Sequence, residues 1–216
     1  MTKLAIFGAN GYAGDAIRSE ALARGHDVLA FSRSGKPRAG SANTEIATGN
    51  IHDAEAVKAV AEQVDVLVVA MPAHEIDGKK LADAIPALLA ISDSTGTRLA
   101  IVGGAGSLQV SEGGPKLMEG EKFPPIALPE ATAHGEMLAL LRGADKGRWF
   151  YLSPAMMFGA HAPQEPVGAY TLGGDVMIKD SRGMSAIGDK DYAKAFLDEI
   201  DTPAHENQRF SVIGAY

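Results

Sequence analysis

Short, almost wholly apolar runs return along this chain at helix-sized intervals, and that recurrence restricts it to few folds. Residues 4–7, 27–31, 64–71, 99–102 and 149–152 read as strands, and residues 44–47 as a shorter one. A strand covered on one face alternates apolar and polar side chains. A parallel strand between two helix layers is apolar throughout. Between these runs lie amphipathic stretches. Residues 15–24 carry Ala16, Ile17, Ala21 and Leu22 on one stripe, with Gly25 as the stop. Residues 53–61 open on Asp53 as a cap, residues 79–90 hold Pro86, which predicts a kink, and residues 130–141 form a further helix. Strand and helix in alternation predict an α/β fold, a doubly wound parallel sheet of the Rossmann type.

The C-terminal part reads differently. Residues 103–129 are rich in Gly and Pro and predict one long loop. Tyr170, Thr171 and Leu172, then Gly173, Gly174 and Asp175, then Val176, Met177 and Ile178 suggest a hairpin around a glycine turn. A last helix is expected over residues 189–200 and a last strand over residues 209–213. With no repeat and no long linker, residues 1–216 read as a single domain. Within it, residues 155–185 and the C-terminal elements are expected to form a small substrate-side lobe.

Composition removes several classes of function. The absence of cysteine excludes disulfides, zinc–thiolate and iron–sulfur sites and a cysteine nucleophile, and suits a reducing compartment. A net charge of −7 without a basic run offers no electrostatic footprint to nucleic acid or to an anionic membrane. No apolar stretch reaches the ~18 residues of a spanning helix, and the N-terminus lacks the parts of a signal peptide. A soluble, cytoplasmic protein is expected; its oligomeric state is left open.

The most informative local feature is the turn after the first strand, Gly8-Ala9-Asn10-Gly11-Tyr12-Ala13-Gly14. Its spacing is G-x-x-G-x-x-G, not the standard G-x-G-x-x-G, but the physics is shared. Glycine permits the tight turn, lets backbone N–H groups approach a pyrophosphate, and leaves room for the helix to pack on the strand. The helix N-terminus adds partial positive charge and unpaired donors. Alone, the triplet could be a plain strand-to-helix turn; strand before and helix after are the context that supports a dinucleotide site.

An NAD-preferring site places a carboxylate about 20 residues beyond the glycines. Phe31-Ser32-Arg33-Ser34 stands there instead, and Asp27 comes too early. Arg33 offers a guanidinium to a 2′-phosphate, Ser32 and Ser34 offer hydroxyls, and Lys36 and Arg38 add charge, so the expected cofactor is NADP as NADPH, with NAD still possible. Ligands of parallel sheets lie beyond the carboxyl ends of the strands. Asn50 and Ile51, after Gly49, are therefore candidates for adenine, Asn50 by hydrogen bonding and Ile51 by stacking. Ala70, Met71 and Pro72 are candidates for ribose, and Gly103 with Gly104 for the nicotinamide.

Familiar acid–base apparatus is missing. The Tyr-x-x-x-Lys dyad of short-chain dehydrogenases fails at every tyrosine: Ala16, Ala155, Gly174 and Phe196 stand four residues after Tyr12, Tyr151, Tyr170 and Tyr192, and Tyr216 is the last residue given. There is no G-x-S-x-G elbow, no P-loop and no metal spacing among the histidines. Ser107 and His134 remain as candidate catalytic residues, the first facing substrate past the fifth strand, the second moving a proton. A turn or cap role for Ser107 and a surface role for His134 stay open. Leu108, Met156, Met157 and Phe158 are candidate pocket walls. Hydride transfer to a flat conjugated acceptor, such as flavin or quinone, needs stacking and a dry pocket more than acid–base groups. The alternative is a non-catalytic redox sensor that binds NADP. An epimerase or dehydratase of nucleotide sugars would want the absent dyad.

The segments Leu4-Ala-Ile-Phe-Gly-Ala-Asn-Gly-Tyr-Ala-Gly14, Ala23-Arg-Gly-His-Asp-Val28, Val102-Gly-Gly-Ala-Gly-Ser-Leu108, Leu152-Ser-Pro154, Tyr170-Thr-Leu-Gly-Gly-Asp175 and Asp189-Lys-Asp-Tyr-Ala193 together resemble the atypical short-chain dehydrogenase/reductases. Within these the chain is similar to the NADH-flavin reductase-like NAD(P)-binding family, related to biliverdin IXβ reductase and NmrA-like proteins. The resemblance implies a doubly wound fold, a nicotinamide cofactor and, for some members, flavin reduction. By position it implies Gly8, Asn10, Gly11, Tyr12 and Gly14 at the pyrophosphate and Arg33 at the 2′-phosphate. His134 stands about where ordinary members carry their tyrosine.

Overall fold

The computed structural model describes residues 1–37 and 45–216. Eight strands form one sheet: β1 (Lys3–Phe7), β2 (Asp27–Ser32), β3 (Ile46–Thr48), β4 (Val66–Val69), β5 (Arg98–Val102), β6 (Trp149–Ser153), β7 (Tyr170–Gly173) and β8 (Gln208–Gly214), in the order β3-β2-β1-β4-β5-β6-β8-β7. All neighbours are parallel except β7 against β8. Five α-helices are described: α1 (Tyr12–Ala23), α2 (Ala54–Ala61), α3 (Ile85–Thr95), α4 (Leu128–Gly143) and α5 (Asp189–Asp201). None is long and apolar enough to cross a membrane.

The period-two alternation of the strands divides their side chains between two cores. Leu4, Ile6, Val66, Val68, Ala100, Phe150 and Leu152 face α1 and α5. Phe7, Leu67, Val69, Leu99, Ile101, Trp149 and Tyr151 face α2, α3 and α4. That double cover is why these runs are apolar at every position. The strand order reverses between β1 and β4, and ligands of such sheets bind in the crevice beyond the strand ends there.

Three expectations are corrected. The first helix begins at Tyr12, not residue 15, because Gly11 already holds the extended conformation of an N-cap (φ −72°, ψ 167°). Pro86 does not kink a helix over 79–90: a short 3₁₀ turn, Leu81–Ala84, precedes α3, and Pro86 sits in its first turn, where a missing N–H costs nothing. The glycine-turn hairpin does not form. Tyr170–Gly173 pairs antiparallel with β8, Tyr170 opposite Gly214 and Gly173 opposite Ser211. Val176 instead bridges Gln109 in parallel. Pairing with β8 satisfies an edge that would otherwise be open. Asp175 is meanwhile drawn away by Arg142 (2.6 Å) and by Arg209, whose side chain is buried. Residues 103–129 hold two 3₁₀ turns, Leu117–Glu119 and Pro125–Ala127. Of the third strand's expected span Thr44 lies outside the described residues, as does Arg38.

Candidate functional site

The carboxyl ends of β1, β2, β4 and β5 bring the expected residues to one edge of the sheet. Gly8 has φ +89°, and a Cβ there would stand 2.2 Å from the Ala70 carbonyl oxygen. The turn after β1 is thus folded directly onto the end of β4, an approach that only glycine permits. Gly8 and Ala9 N–H donate to the Phe31 carbonyl (3.0 and 3.1 Å), joining the turn to β2 as well. A Cβ on Gly14 would lie 2.2 Å from the Gly8 carbonyl oxygen, so α1 packs hard on its own turn. Gly11 is exposed and supplies no side-chain cap. The N-terminus of α1 therefore presents its backbone N–H groups and partial positive charge outward, at the reversal of strand order. This cradle, a close-packed turn with a bare glycine and an uncapped helix N-terminus at its outer side, fits a pyrophosphate.

Asn10 serves the turn in a way the spacing did not reveal. Its Nδ2 donates to the Lys36 carbonyl (2.7 Å), tying the glycine turn to the loop after β2. In that loop Ser32 is buried and its Oγ accepts from Gly35 N–H (3.1 Å), while Ser34 Oγ accepts from Lys36 N–H (3.3 Å). The serines shape the loop, and the Arg33 side chain stands 72% exposed, free to meet an anion. Asp77, on the loop after β4, is 4.0 Å from it.

Ile51 corrects an expectation. It is 2% exposed and packs with Phe7, Val57 and Leu67, so it offers no face to adenine. Asn50 is exposed, and its Oδ1 accepts from His52 N–H (3.0 Å) in a turn that leads to the Asp53 cap of α2. At the end of β4, Ala70 is buried, Met71 half-buried beside Gly8, and Pro72 exposed. Tyr12, half-buried, meets Phe158 edge-on at 5.2 Å, and Phe158 packs on Tyr192 at 4.6 Å. That contact draws the 156–158 segment to the glycine turn, with Met156 exposed beside it. Leu108 is buried instead in the interior.

At β5 the two candidate catalytic residues differ sharply. Ser107 is 7% exposed, and its Oγ has no hydrogen-bond partner among the described residues. It is not a cap; Leu108 N–H closes the turn on the Ala105 carbonyl without it. His134 is not a surface residue. It is 6% exposed, with Nδ1 3.1 Å from the Tyr151 hydroxyl and Nε2 3.2 Å from Glu130 Oε1. Glu130 also accepts Ala73 N–H (2.8 Å) and His74 N–H (2.9 Å), and it contacts the His74 ring. Burial alone would raise the Glu130 pKa. The hydrogen bonds from His134, Ala73 and His74 outweigh it and hold the carboxyl well below its usual 4.5. Tyr151 lies under the β5 loop. A Cβ on Gly103 would be 2.2 Å from its ring, and Gly104 N–H donates to its hydroxyl (2.9 Å). Burial pushes the Tyr151 phenol far up, leaving it protonated at any ordinary pH.

Glu130 and Tyr151 are the residues that sequence reasoning missed. Glu130 had a signal, lying four residues before His134 on one helix face. Tyr151 had none, because the dyad test rejects it and nothing in the spacing brings β6 beneath the β5 loop.

Residues 8–203 match the family described as NAD(P)H-binding. The chain is 37% identical over 216 residues to the uncharacterised protein YwnB of Bacillus subtilis (strain 168), spanning 98% of each. Among solved structures it is similar to a Streptococcus pneumoniae protein provisionally named an NADH-flavin reductase, at 32% identity and a TM-score of 0.87, covering 99% of this chain and 100% of that one. A Bacteroides thetaiotaomicron protein provisionally named an epimerase is similar at 31% identity and a TM-score of 0.81, covering 100% of this chain and 98% of that one.

Proposed function

Since this chain belongs to the NAD(P)H-binding family of atypical short-chain dehydrogenase/reductases, we propose that it is an NADPH-dependent reductase of a flat conjugated acceptor, a flavin or a quinone. The observation that carries this reading is the uncapped N-terminus of α1, set behind Gly8, Gly11 and Gly14 where the strand order reverses. The backbone N–H groups of Tyr12 and Gly14 hold the pyrophosphate against the bare surface of Gly11, whose own N–H closes the turn on the Gly8 carbonyl (2.9 Å), with Asn10 fixing the turn. Arg33 and Ser34 meet the 2′-phosphate, which favours NADPH over NADH. Asn50 borders the adenine, and Ala70, Met71 and Pro72 border the ribose. Gly103 and Gly104 form the wall beside the nicotinamide.

Bound NADPH supplies a hydride, and one proton from solvent completes the two-electron reduction of the acceptor. The chain's part is to orient and to exclude water. Ser107, whose buried hydroxyl has no partner among the described residues, meets a polar atom of the acceptor once the loop after β5 opens to admit it. Half-buried Met157 and Phe158, the latter edge-on to Tyr12, form the apolar wall of the acceptor pocket. Calorimetry of the purified protein with NADPH and NADH tests the cofactor; absence of any binding sinks the proposal. Loss of 340 nm absorbance under nitrogen, with flavin mononucleotide or a soluble quinone, tests the reaction. Tight NADPH binding without oxidation by any such acceptor would favour the redox sensor, a reading that the interior position of His134 also supports.

A further inference from the structure

A single line of polar side chains crosses from one loop at the site to another. Gly104 N–H donates to Tyr151 Oη at 2.9 Å, which leaves the phenol proton for His134, with Nδ1 at 3.1 Å and the backbone carbonyl farther off at 3.4 Å. A ring accepting at Nδ1 carries its own proton on Nε2, where the ionised Glu130 Oε1 lies 3.2 Å away. The same carboxylate accepts the N–H groups of Ala73 and His74, just past β4. The donors and acceptors along this line therefore match in one direction. Tyr151 is wholly buried and His134 nearly so, which makes each unmade bond costly. Helix α4 and strand β6 thus hold the loop after β5 and the loop after β4 through one connected set of bonds.

We infer that Glu130, His134 and Tyr151 are positioning residues that set the spacing of the β4 and β5 loops, between which the nicotinamide and its acceptor lie. Both ring nitrogens of His134 are engaged, Tyr151 is enclosed beneath Gly103 and Gly104, and the Glu130 oxygens are committed to His134, Ala73 and His74. His134 thereby takes a holding role in place of proton transfer. The location of the nicotinamide rests on the function proposed above, whereas the coupling of the two loops does not.

Two measurements test this. In the ligand-free protein, Tyr151→Phe removes the acceptor of Gly104 N–H and the donor to His134. Amide exchange at Gly104 should rise roughly tenfold, and exchange at Ala73 and His74 should rise with it. Glu130→Gln, a change at the outer end, should act in reverse and loosen Gly104. Unchanged exchange at Gly104 in both variants, or effects confined to the substituted end, would overturn the coupling. The second measurement compares binding of NADPH with that of adenosine 2′,5′-bisphosphate, which lacks the nicotinamide half. Tyr151→Phe should weaken NADPH roughly tenfold and leave the bisphosphate unchanged. Equal weakening of the two would mark general damage and refute a positioning role. Wild-type protein that binds neither compound would defeat the proposed function, while the exchange data would still decide the coupling.

Discussion

Gly14 and Gly8 are packed so closely that a Cβ on Gly14 would lie 2.2 Å from the Gly8 carbonyl oxygen. The obstacle is backbone, which cannot swing aside as a side-chain tip can. Gly14→Ala must therefore push α1 away from the turn and, with it, the N–H groups of the helix N-terminus. A destabilisation of about 1–3 kcal/mol is expected, as for other overpacked sites, together with loss of most NADPH affinity. Urea denaturation and calorimetry measure the two effects. Full affinity in a well-folded Gly14→Ala protein would contradict the cradle.

Arg33 stands largely exposed on a loop whose shape Ser32, Ser34 and Asn10 determine. Truncation at this position should leave the loop in place and remove only its charge. Arg33→Ala is expected to weaken NADPH by about tenfold or more, the worth of a charge-assisted hydrogen bond, and NADH hardly at all. The ratio of the two dissociation constants is the readout. An unchanged ratio would remove Arg33 from the 2′-phosphate.

Ser107 carries a buried hydroxyl without a partner among the described residues. Such a group costs stability, so Ser107→Ala should be neutral or stabilising by about 1 kcal/mol. Turnover with the acceptor should fall about tenfold if the hydroxyl binds it in the reacting complex. Thermal denaturation and anaerobic turnover, read together, separate this role from a structural one. A loss of stability would mean that the hydroxyl is bonded after all.

Glu130 links acid sensitivity to the same site. Its folded pKa lies below the ordinary 4.5, so its ionised form stabilises the protein above that pH, and the contribution disappears as pH falls through the folded value. Stability should thus decline on acidification below about pH 4.5. Glu130→Gln should be less stable at pH 7 and show a shallower decline. Parallel curves for the two proteins, from denaturant melts across the acid range, would refute the assignment.

Much of this protein was legible from residue order alone. Continuous apolar runs at helix spacing require a sheet covered on both faces, because only there does every side chain of a strand meet an apolar neighbour. Glycines at 8, 11 and 14, between such a strand and a helix, mark the close approach of backbone to backbone that the structure contains. Local chemistry sufficed in each case. Where the outcome turned on competition between distant partners, it did not. Tyr170–Gly173 had a plausible local hairpin partner and pairs with β8 instead, since the sheet edge and the two arginines on Asp175 offer more. Ile51 has the right position for adenine but is claimed by the core. Glu130 and Tyr151 acquire their roles only when α4 and β6 come to lie against the loops after β4 and β5. Spacing along a chain encodes periodicity and turns; which side chain fills a given space is decided by packing among elements far apart in sequence.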